Sequence, residues 1–506
     1  MQHQHLGDRF SARRRLAIIV TLGLLTGLGP FTVDMYLPAF PVIKEQLRIN
    51  DAQVQVTLSA TTLGFALGQL LVGPVSDRLG RKRPLLAMTA LHVTASVLVA
   101  VSPNVEFLTG MRALQGIGAA GGAVVAMAMA RDLFSGRRLI TMMSRLALIN
   151  GLAPIVAPLV GSWLVTIIGW RGVFWVLAGY GATIVALVAA LIVETRPAAE
   201  RTAGGLGPLR AAYRRVLKDR VFVGVWIVAA FAFGGLFSYV STSSVLLQEV
   251  FGLSPRGFGL VFAICSVGVF LGVQGGSRLA ARVGPPRILM VGTMLMVVAA
   301  ASLLLVDRFT GGFIPLIPTM FLYTLGFGSC MPSAQVLALQ NHRADSGVAA
   351  SLMGAGNMLM AASVGPIIGR FELRDATPMA VAMLVLALVL LAGVSVLYAA
   401  LTASRPVRAH ESGLLRVFGA GNRMISRVQG AEYALLGFAS GLLGAVLAEL
   451  VTAALYLYWL DLTPRLHWGL WLVLPLGGAL LIGIIGHLLS YQLRRQAPAA
   501  SLGLLG

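Results

Sequence analysis

The stretch Gly64–Pro84, GFALGQLLVGPVSDRLGRKRP, decides the fold of this chain. It continues an uncharged apolar helix and then breaks into a short charged segment that begins at Asp77. Gly80 provides the tight turn, because glycine adopts left-handed backbone conformations at little cost. Gly73 is expected to let a neighbouring helix approach closely. The stretch therefore predicts a membrane helix that leaves the bilayer at a sharply turning, positively charged loop of the kind found on the cytoplasmic side.

The composition excludes an ordinary soluble domain. The chain has 506 residues, of which 57% are hydrophobic and only 11% charged, whereas soluble domains carry about 25% charged residues. The net charge of +20 is spread in small clusters between apolar runs and forms no compact basic face, so it does not indicate nucleic-acid binding. We predict an all-α polytopic membrane protein.

Several kinds of chemistry lack their sequence signatures. The two cysteines, Cys265 and Cys330, lie inside apolar runs and in no metal-ligand spacing. No lysine completes a GxxxxGK[ST] phosphate loop, so the chain is not its own ATPase. The seven histidines form no HExxH motif, and no catalytic triad is visible. We therefore expect no metal, no cofactor and no enzymatic activity.

Apolar runs of about 20 residues mark helices that can cross a bilayer. They lie near 16–38, 53–76, 84–102, 106–130, 141–166, 170–193, 221–247, 256–280, 287–306, 313–338, 346–368 and 378–402, with two more near 430–458 and 468–491. Most of the lysines and arginines fall in the segments on one side, so the positive-inside rule predicts that both termini are cytoplasmic. The first run lacks a small-residue cleavage site and is read as a retained span.

This spacing divides the chain into four parts. Residues 1–193 and 221–402 each contain six spans, 194–220 form a polar cytoplasmic linker, and 403–506 form a tail with two extra spans. The second half repeats the charged loop weakly, since Gly284 aligns with Gly80. The predicted fold is therefore two six-helix lobes plus two C-terminal transmembrane helices.

The charged loop resembles the GxxxDRxGRR signature of the major facilitator superfamily. The matching residues are Gly73, Asp77, Arg78, Gly80, Arg81 and Lys82. The resemblance implies two lobes that bind substrate near the bilayer midplane and alternate access between the two sides. It also implies that this loop acts as a latch that holds the lobes in one conformation.

Two ionisable residues inside spans are candidates for proton coupling. Asp34 is the acidic residue placed well inside the first twelve spans, and Arg112 is the basic one. An intramembrane charge is costly, so Asp34 should face an internal cavity or pair with a base. The alternatives are a hydrated structural Asp34 near the outer end of its span, and a helix-packing role for Arg112. Whether the two side chains meet stays open.

The fifth span carries a proline and glycine pattern, NGLAPIVAPLVGSW, that predicts a bent helix able to pack closely. Its members are Gly151, Pro154, Pro158 and Gly161. The pattern resembles the fifth-helix signature of drug/proton antiporters, which implies export, although bent helices also occur in uniporters.

Three further matches indicate a branch of the superfamily: DMYLP from Asp34, RALQG from Arg112 and Ala153-Pro154. Residues 16–402 resemble the bicyclomycin- and chloramphenicol-resistance type of multidrug exporters. The resemblance implies a monomer in the bacterial inner membrane that exchanges protons for amphipathic drug-like molecules. Candidate cavity residues, for each of which simple packing is the alternative, are Tyr36, Asn150, Tyr239, Phe327 and Asn357. A proton-coupled symporter or a facilitator of a small polar metabolite is the alternative function.

The tail resembles the last two helices of FtsX-like ABC permeases. The match lies in VFGA from Val417, EYALLG from Glu432 and WLVLP from Trp471. Without the remaining permease helices this tail cannot be a working ABC half. We therefore expect either an appended helix hairpin or a segment that docks an ABC permease.

Overall fold

A computed structural model describes residues 11–197, 206–310, 312–342, 345–371 and 373–402, together with scattered positions between 421 and 480. The helices predicted at 430–458 and 468–491 therefore lie outside the continuously described residues. In chain order the helices are α1 (Ala12–Asp34), α2 (Phe40–Leu47), α3 (Asp51–Leu79), α4 (Lys82–Ala100), α5 (Val105–Leu133), α6 (Gly136–Leu191), α7 (Leu206–Lys218), α8 (Arg220–Val245), α9 (Pro255–Val283), α10 (Pro285–Thr310), α11 (Leu316–Leu339), α12 (Ser346–Ile368) and α13 (Thr377–Thr402).

The described helices confirm the all-α polytopic fold. Ten helical segments are long and apolar enough to cross a membrane. One of them belongs to α6, which breaks at Gly169 (φ 69°, ψ 178°) and so provides two consecutive spans. The 24-residue α11 packs against α9 and α10. The described helices form two packed groups, α1–α6 and α8–α13.

The first span ends earlier than the predicted residue 38. α1 stops at Asp34, and a 3₁₀ turn follows at Leu37–Ala39. Pro38 has no N–H with which to bond the Asp34 carbonyl, so the α-helical ladder cannot continue through it. Asp34 is therefore the last residue of α1, which is the position near the end of its span that the alternative interpretation gave it.

The segment predicted as a polar linker contains a helix, α7. Its apolar residues Leu209, Ala212, Tyr213 and Val216 recur at helical spacing, and Ala212 and Val216 are buried. The arginines occupy the other face, as expected of a surface amphipathic helix. This pattern was present in the sequence, and it was obscured there by the flanking glycines and charges.

The two helix groups meet through α3 with α12 and through α6 with α9. We call the end of the bundle that carries Lys44 and Glu249 the Lys44 end, and the opposite end the Asp77 end. At the Lys44 end the groups are joined by an ion pair between Lys44 Nζ and Glu249 Oε2 at 2.6 Å. Ser244 Oγ also donates to the Leu37 carbonyl at 2.5 Å. The bundle is closed at this end.

The contact between α6 and α9 ends before the Asp77 end. The two helices run antiparallel, with Gly259 against Ser162 and Gly151 against Phe270. The same register would bring Ser144 opposite Ser277, yet both are exposed. α6 and α9 therefore separate toward the Asp77 end and leave a cleft between them, while α3 and α12 stay in contact as far as Gln69 and Gly354.

Candidate functional site

Asp34 lies buried in the contact between the two helix groups. It ends α1, its exposed fraction is 7%, and no hydrogen bond or ion pair to its carboxylate is seen among the described residues. Across the contact, Tyr239 of α8 lies within electrostatic reach of Asp34 and beside Cys265. The Tyr239 ring stacks on Phe262 at 5.4 Å between centroids. The free-energy cost of burying this carboxylate falls when it is protonated or when the two groups separate.

Arg112 is fully buried on α5 and does not pair with Asp34. Its Nη1 donates to the Thr32 carbonyl at 3.1 Å and to Gln115 Oε1 at 2.6 Å. The guanidinium lies 4.3 Å from the centroid of the Tyr36 ring, a cation–π distance. Its Nε and Nη2 have no hydrogen-bond partner among the described residues. Arg112 therefore ties α5 to α1 within the first group and keeps unused hydrogen-bonding capacity.

Sequence reasoning missed the polar side chains that surround Arg112. Gln115 Nε2 donates to Ser96 Oγ at 2.8 Å, and His92 Nε2 lies 2.9 Å from Thr32 Oγ1. All four of these side chains are buried. The signal that could have found them is a polar residue inside an apolar span, which by default indicates an internal contact. His92 was overlooked because the histidines were tested only for metal-binding spacing.

No hydrogen bond or ring contact joins any two of the five candidate cavity residues in the described part of the chain. Tyr36 is fully buried, and its hydroxyl lies 2.5 Å from Thr57 Oγ1. Phe327 is buried against Phe233, with centroids 5.6 Å apart. Asn150 is exposed on α6 and Asn357 is half-buried with Oδ1 unpaired. Of the five residues, these two asparagines are the ones that are not buried.

The proline and glycine residues of the fifth span lie where α6 contacts its neighbours. A Cβ at Gly161 would collide with the Met35 carbonyl, and one at Gly151 would lie 3.1 Å from the Phe270 ring. Pro154 and Pro158 lie inside the helix between these contacts, where each removes one backbone hydrogen bond. α6 thus touches both α1 of its own group and α9 of the other.

The charged loop is an ion-pair network centred on Asp77 and Arg81. Asp77 Oδ1 accepts from Arg81 Nη1 at 2.8 Å and from Arg196 Nη1 at 2.5 Å. Arg81 Nε donates to Asp132 Oδ2 at 3.1 Å, and its backbone N–H donates to Glu194 Oε1 at 2.7 Å. Asp132 belongs to α5, whereas Glu194 and Arg196 lie just after the end of α6. They were not foreseen as partners, because all three residues are far from Asp77 and Arg81 in the sequence.

The glycines and flanking cations of this loop behave differently from one another. Gly80 has φ 89°, which agrees with the predicted turn. The expected close helix approach at Gly73 is wrong, because no atom lies within 4 Å of where its Cβ would be. Lys82 Nζ donates to the Ala189 carbonyl at 2.9 Å. Arg78 is exposed at the end of α3.

Among the described residues, no group of His, Cys, Asp or Glu could hold a metal ion.

The fold, the polar residues inside it and the cleft at one end define a helical membrane transporter built from two packed groups. The Major Facilitator Superfamily model matches residues 22–366, and the chain belongs to that family. The FtsX-like permease C-terminal model matches residues 383–498, which confirms the resemblance of the tail. That match begins within α13, ahead of the predicted residue 403.

The chain is similar to several proteins over most of their length. It is 34% identical over 381 residues to the uncharacterized MFS-type transporter YdgK of Bacillus subtilis, covering 75% of this chain and 94% of that protein. It is 31% identical over 363 residues to a bicyclomycin resistance protein homolog of Haemophilus influenzae, covering 71% and 91%. It is 30% identical over 394 residues to multidrug resistance protein MdtL of Escherichia fergusonii, covering 76% and 95%.

Two solved structures share the fold. A D-xylose-proton symporter superposes with a TM-score of 0.59 at 16% identity, covering 74% of this chain and 96% of that one. A variant of the nucleoside transporter NupG superposes with a TM-score of 0.57 at 15% identity, covering 76% and 99%. At this level of identity the likeness extends to the fold alone.

Proposed function

We propose that this protein is a proton-coupled antiporter that exports amphipathic small molecules across the bacterial inner membrane by alternating access. The observation that carries the proposal is the buried Asp34 carboxylate, which lies between the two helix groups with no cationic partner among the described residues. The drug-resistance names of two relatives support the substrate class. The working unit is a single chain, driven by the proton gradient and requiring no cofactor.

In this proposal the Asp77 end faces the cytoplasm, so the structure corresponds to an inward-open state. Closing the groups around Asp34 costs less free energy when its carboxyl group carries a proton. The proton enters while the Lys44 end is open and stays on Asp34 as that end closes. A drug molecule that enters from the cytoplasm displaces the proton and stabilises the opposite conformation. Coupling requires only that proton and drug favour different states.

The remaining predicted residues have supporting roles in this cycle. Arg112 holds the end of α1, and thereby Asp34, in position through the Thr32 carbonyl. The bent α6 supplies the moving contact with α9. The loop from Asp77 to Lys82 latches the two groups when the Asp77 end closes; here its described ion pairs join residues of the first group and Arg196, just after α6.

The experiment is proton release from purified, detergent-solubilised protein on addition of chloramphenicol-like, bicyclomycin-like and cationic compounds. We expect release from the wild type and loss of release in Asp34→Asn. The matched control is Glu106→Gln, which neutralises an exposed carboxylate in the first turn of α5 and should release protons as the wild type does.

Full release from Asp34→Asn would remove Asp34 from the coupling step. Compound binding without release in any of the three proteins would favour a facilitator. In proteoliposomes, compound movement in the same direction as the protons would favour the symporter alternative.

A second role is supported by the FtsX-like match at residues 383–498: the tail docks an ABC permease. Removal of residues 405–506 should then abolish a complex with a permease while export continues. An unchanged set of co-purifying membrane proteins after this truncation would rule the docking role out.

A further inference from the structure

A basic cavity lies at the Asp77 end of the first helix group, away from Asp34. It has a volume of about 600 Å³ and opens between the first turns of α1, the end of α5 and the first turns of α6. The residues that line it are Arg15, Leu16, Ile19, Phe134, Arg138, Thr141, Met142 and Arg145. Neither the charged loop nor the proposed transport site uses any of them.

The lining combines two chemistries. Arg15, Arg138 and Arg145 bring three guanidinium groups to one cavity, and the eight lining residues include no acid. Guanidinium groups bind phosphate oxygens in a bidentate manner and remain charged at any physiological pH. Phe134 and Met142, which are 5% and 2% exposed, form an apolar floor. The cavity therefore suits an anion that also carries apolar surface.

The start of α6 adds to the positive potential of the cavity. Ser135 occupies the N-cap position without a side-chain hydrogen bond, so it leaves the first N–H groups of α6 without that partner. The N-terminus of a helix attracts anions through such groups and through the helix dipole.

Apolar side chains extend from the cavity along the bundle. Leu16 and Val20 are exposed one turn apart on α1, and Leu148 and Leu152 are exposed one turn apart on α6. In a membrane each row offers apolar surface to an acyl chain whose headgroup lies at the arginines. A free phosphate ion would use the arginines and leave the rows unused.

We propose that this cavity is a binding site for the phosphate headgroup of an anionic phospholipid, with an acyl chain lying along the exposed leucines and Val20. The headgroup contacts arginines that line the cavity and joins α1, α5 and α6 at the Asp77 end of the first group. The site is separate from the transported compound and does not depend on the direction of transport.

The test measures binding of short-chain phosphatidylglycerol and phosphatidylcholine to the full-length detergent-solubilised protein by calorimetry. We expect the wild type to prefer phosphatidylglycerol by roughly tenfold or more, since each basic residue near a membrane surface contributes appreciably to anionic lipid binding. In Arg15→Gln/Arg145→Gln this preference should fall to about equal affinity for the two lipids.

The matched control is Arg278→Gln/Arg282→Gln, which removes two exposed arginines from α9 at the same end of the bundle. It should keep the wild-type preference. An equal loss of preference in both double variants, or no loss in the first, would overturn the site. If inorganic phosphate competes as well as the lipid does, the cavity binds a free anion and the lipid assignment is wrong. Thermal unfolding of each variant separates a lost site from a lost fold.

Discussion

The glycines of α3 show how one residue type can have opposite roles along a single helix. Gly64 packs directly on the backbone of α5, where an added Cβ would collide with the Ala113 carbonyl, and Gly116 of α5 packs likewise on Thr61. Gly73, nine residues further along α3, has no atom within 4 Å of its missing Cβ. Close helix approach through small residues is a main means of packing in membranes, and here it operates at Gly64.

The pair Gly64→Ala and Gly73→Ala tests this difference. Gly64→Ala should destabilise the protein by about 1–3 kcal/mol through overpacking against backbone that cannot move aside. Gly73→Ala should be neutral or stabilising by up to about 1 kcal/mol, because alanine favours a helix interior more than glycine does. Thermal unfolding in one detergent measures both. Equal destabilisation by the two changes would contradict the observed packing.

Among the elements, α7 links the two helix groups. Arg215 makes two hydrogen bonds to the Asp345 carboxylate at 2.9 and 3.0 Å, just before α12 begins. Tyr213 reaches the Leu70 carbonyl of α3 at 3.5 Å. The hydrogen bonds from Arg215 hold the pKa of the Asp345 carboxyl below its usual value. α7 is thus anchored to the second group and rests on the first.

The anchoring of α7 should depend on pH. A carboxyl group whose pKa is lowered stabilises the docked form above its ordinary titration range and stops doing so as the pH falls through its lowered pKa. Hydrogen exchange of the α7 amides, corrected for intrinsic rates, should therefore be slow at pH 7 and several-fold faster below about pH 4.

Substitution tests the same contact at neutral pH. Asp345→Asn should speed exchange of the α7 amides at pH 7 to the rate that the wild type reaches in acid. Arg210→Gln, a change at an exposed arginine of the same helix, should leave the rate unchanged. If the two variants exchanged alike, the contact between Arg215 and Asp345 would not be what anchors α7.

Over the whole molecule, the closed Lys44 end and the cleft at the Asp77 end are two consequences of one arrangement. Lys44 joins Asp51 of its own group and Glu249 of the other, while α6 and α9 part beyond Gly151. Alternating access requires that closure of one end exclude closure of the other.

Paired cysteines measure this exclusion. In a background with Cys265→Ala and Cys330→Ala, Lys44→Cys/Glu249→Cys should cross-link readily in the conformation described. Ser144→Cys/Ser277→Cys should cross-link little in that conformation and more in the opposite one. A protein carrying both pairs should form one cross-link at a time. Simultaneous formation of both in most molecules would contradict a two-state cycle.

Much of the architecture was predictable from composition and local pattern. The approximate limits of the described spans follow from the length of helix needed to cross a bilayer, and the turn at Gly80 follows from its charged, glycine-containing loop. The likeness of the tail to FtsX-like permeases was also predicted from the sequence, and a family model that matches residues 383–498 confirms it.

The partners of the buried polar groups could not be read in the same way. Nothing in the order of residues places Asp34 near Tyr239, Arg112 on the Thr32 carbonyl or Asp77 on Arg196. A membrane helix is apolar on its lipid side as well as on its packed side, so hydropathy identifies the span but not the face that meets its neighbour. Those contacts join residues far apart in the chain, and only the packing of the helices against one another brings them together.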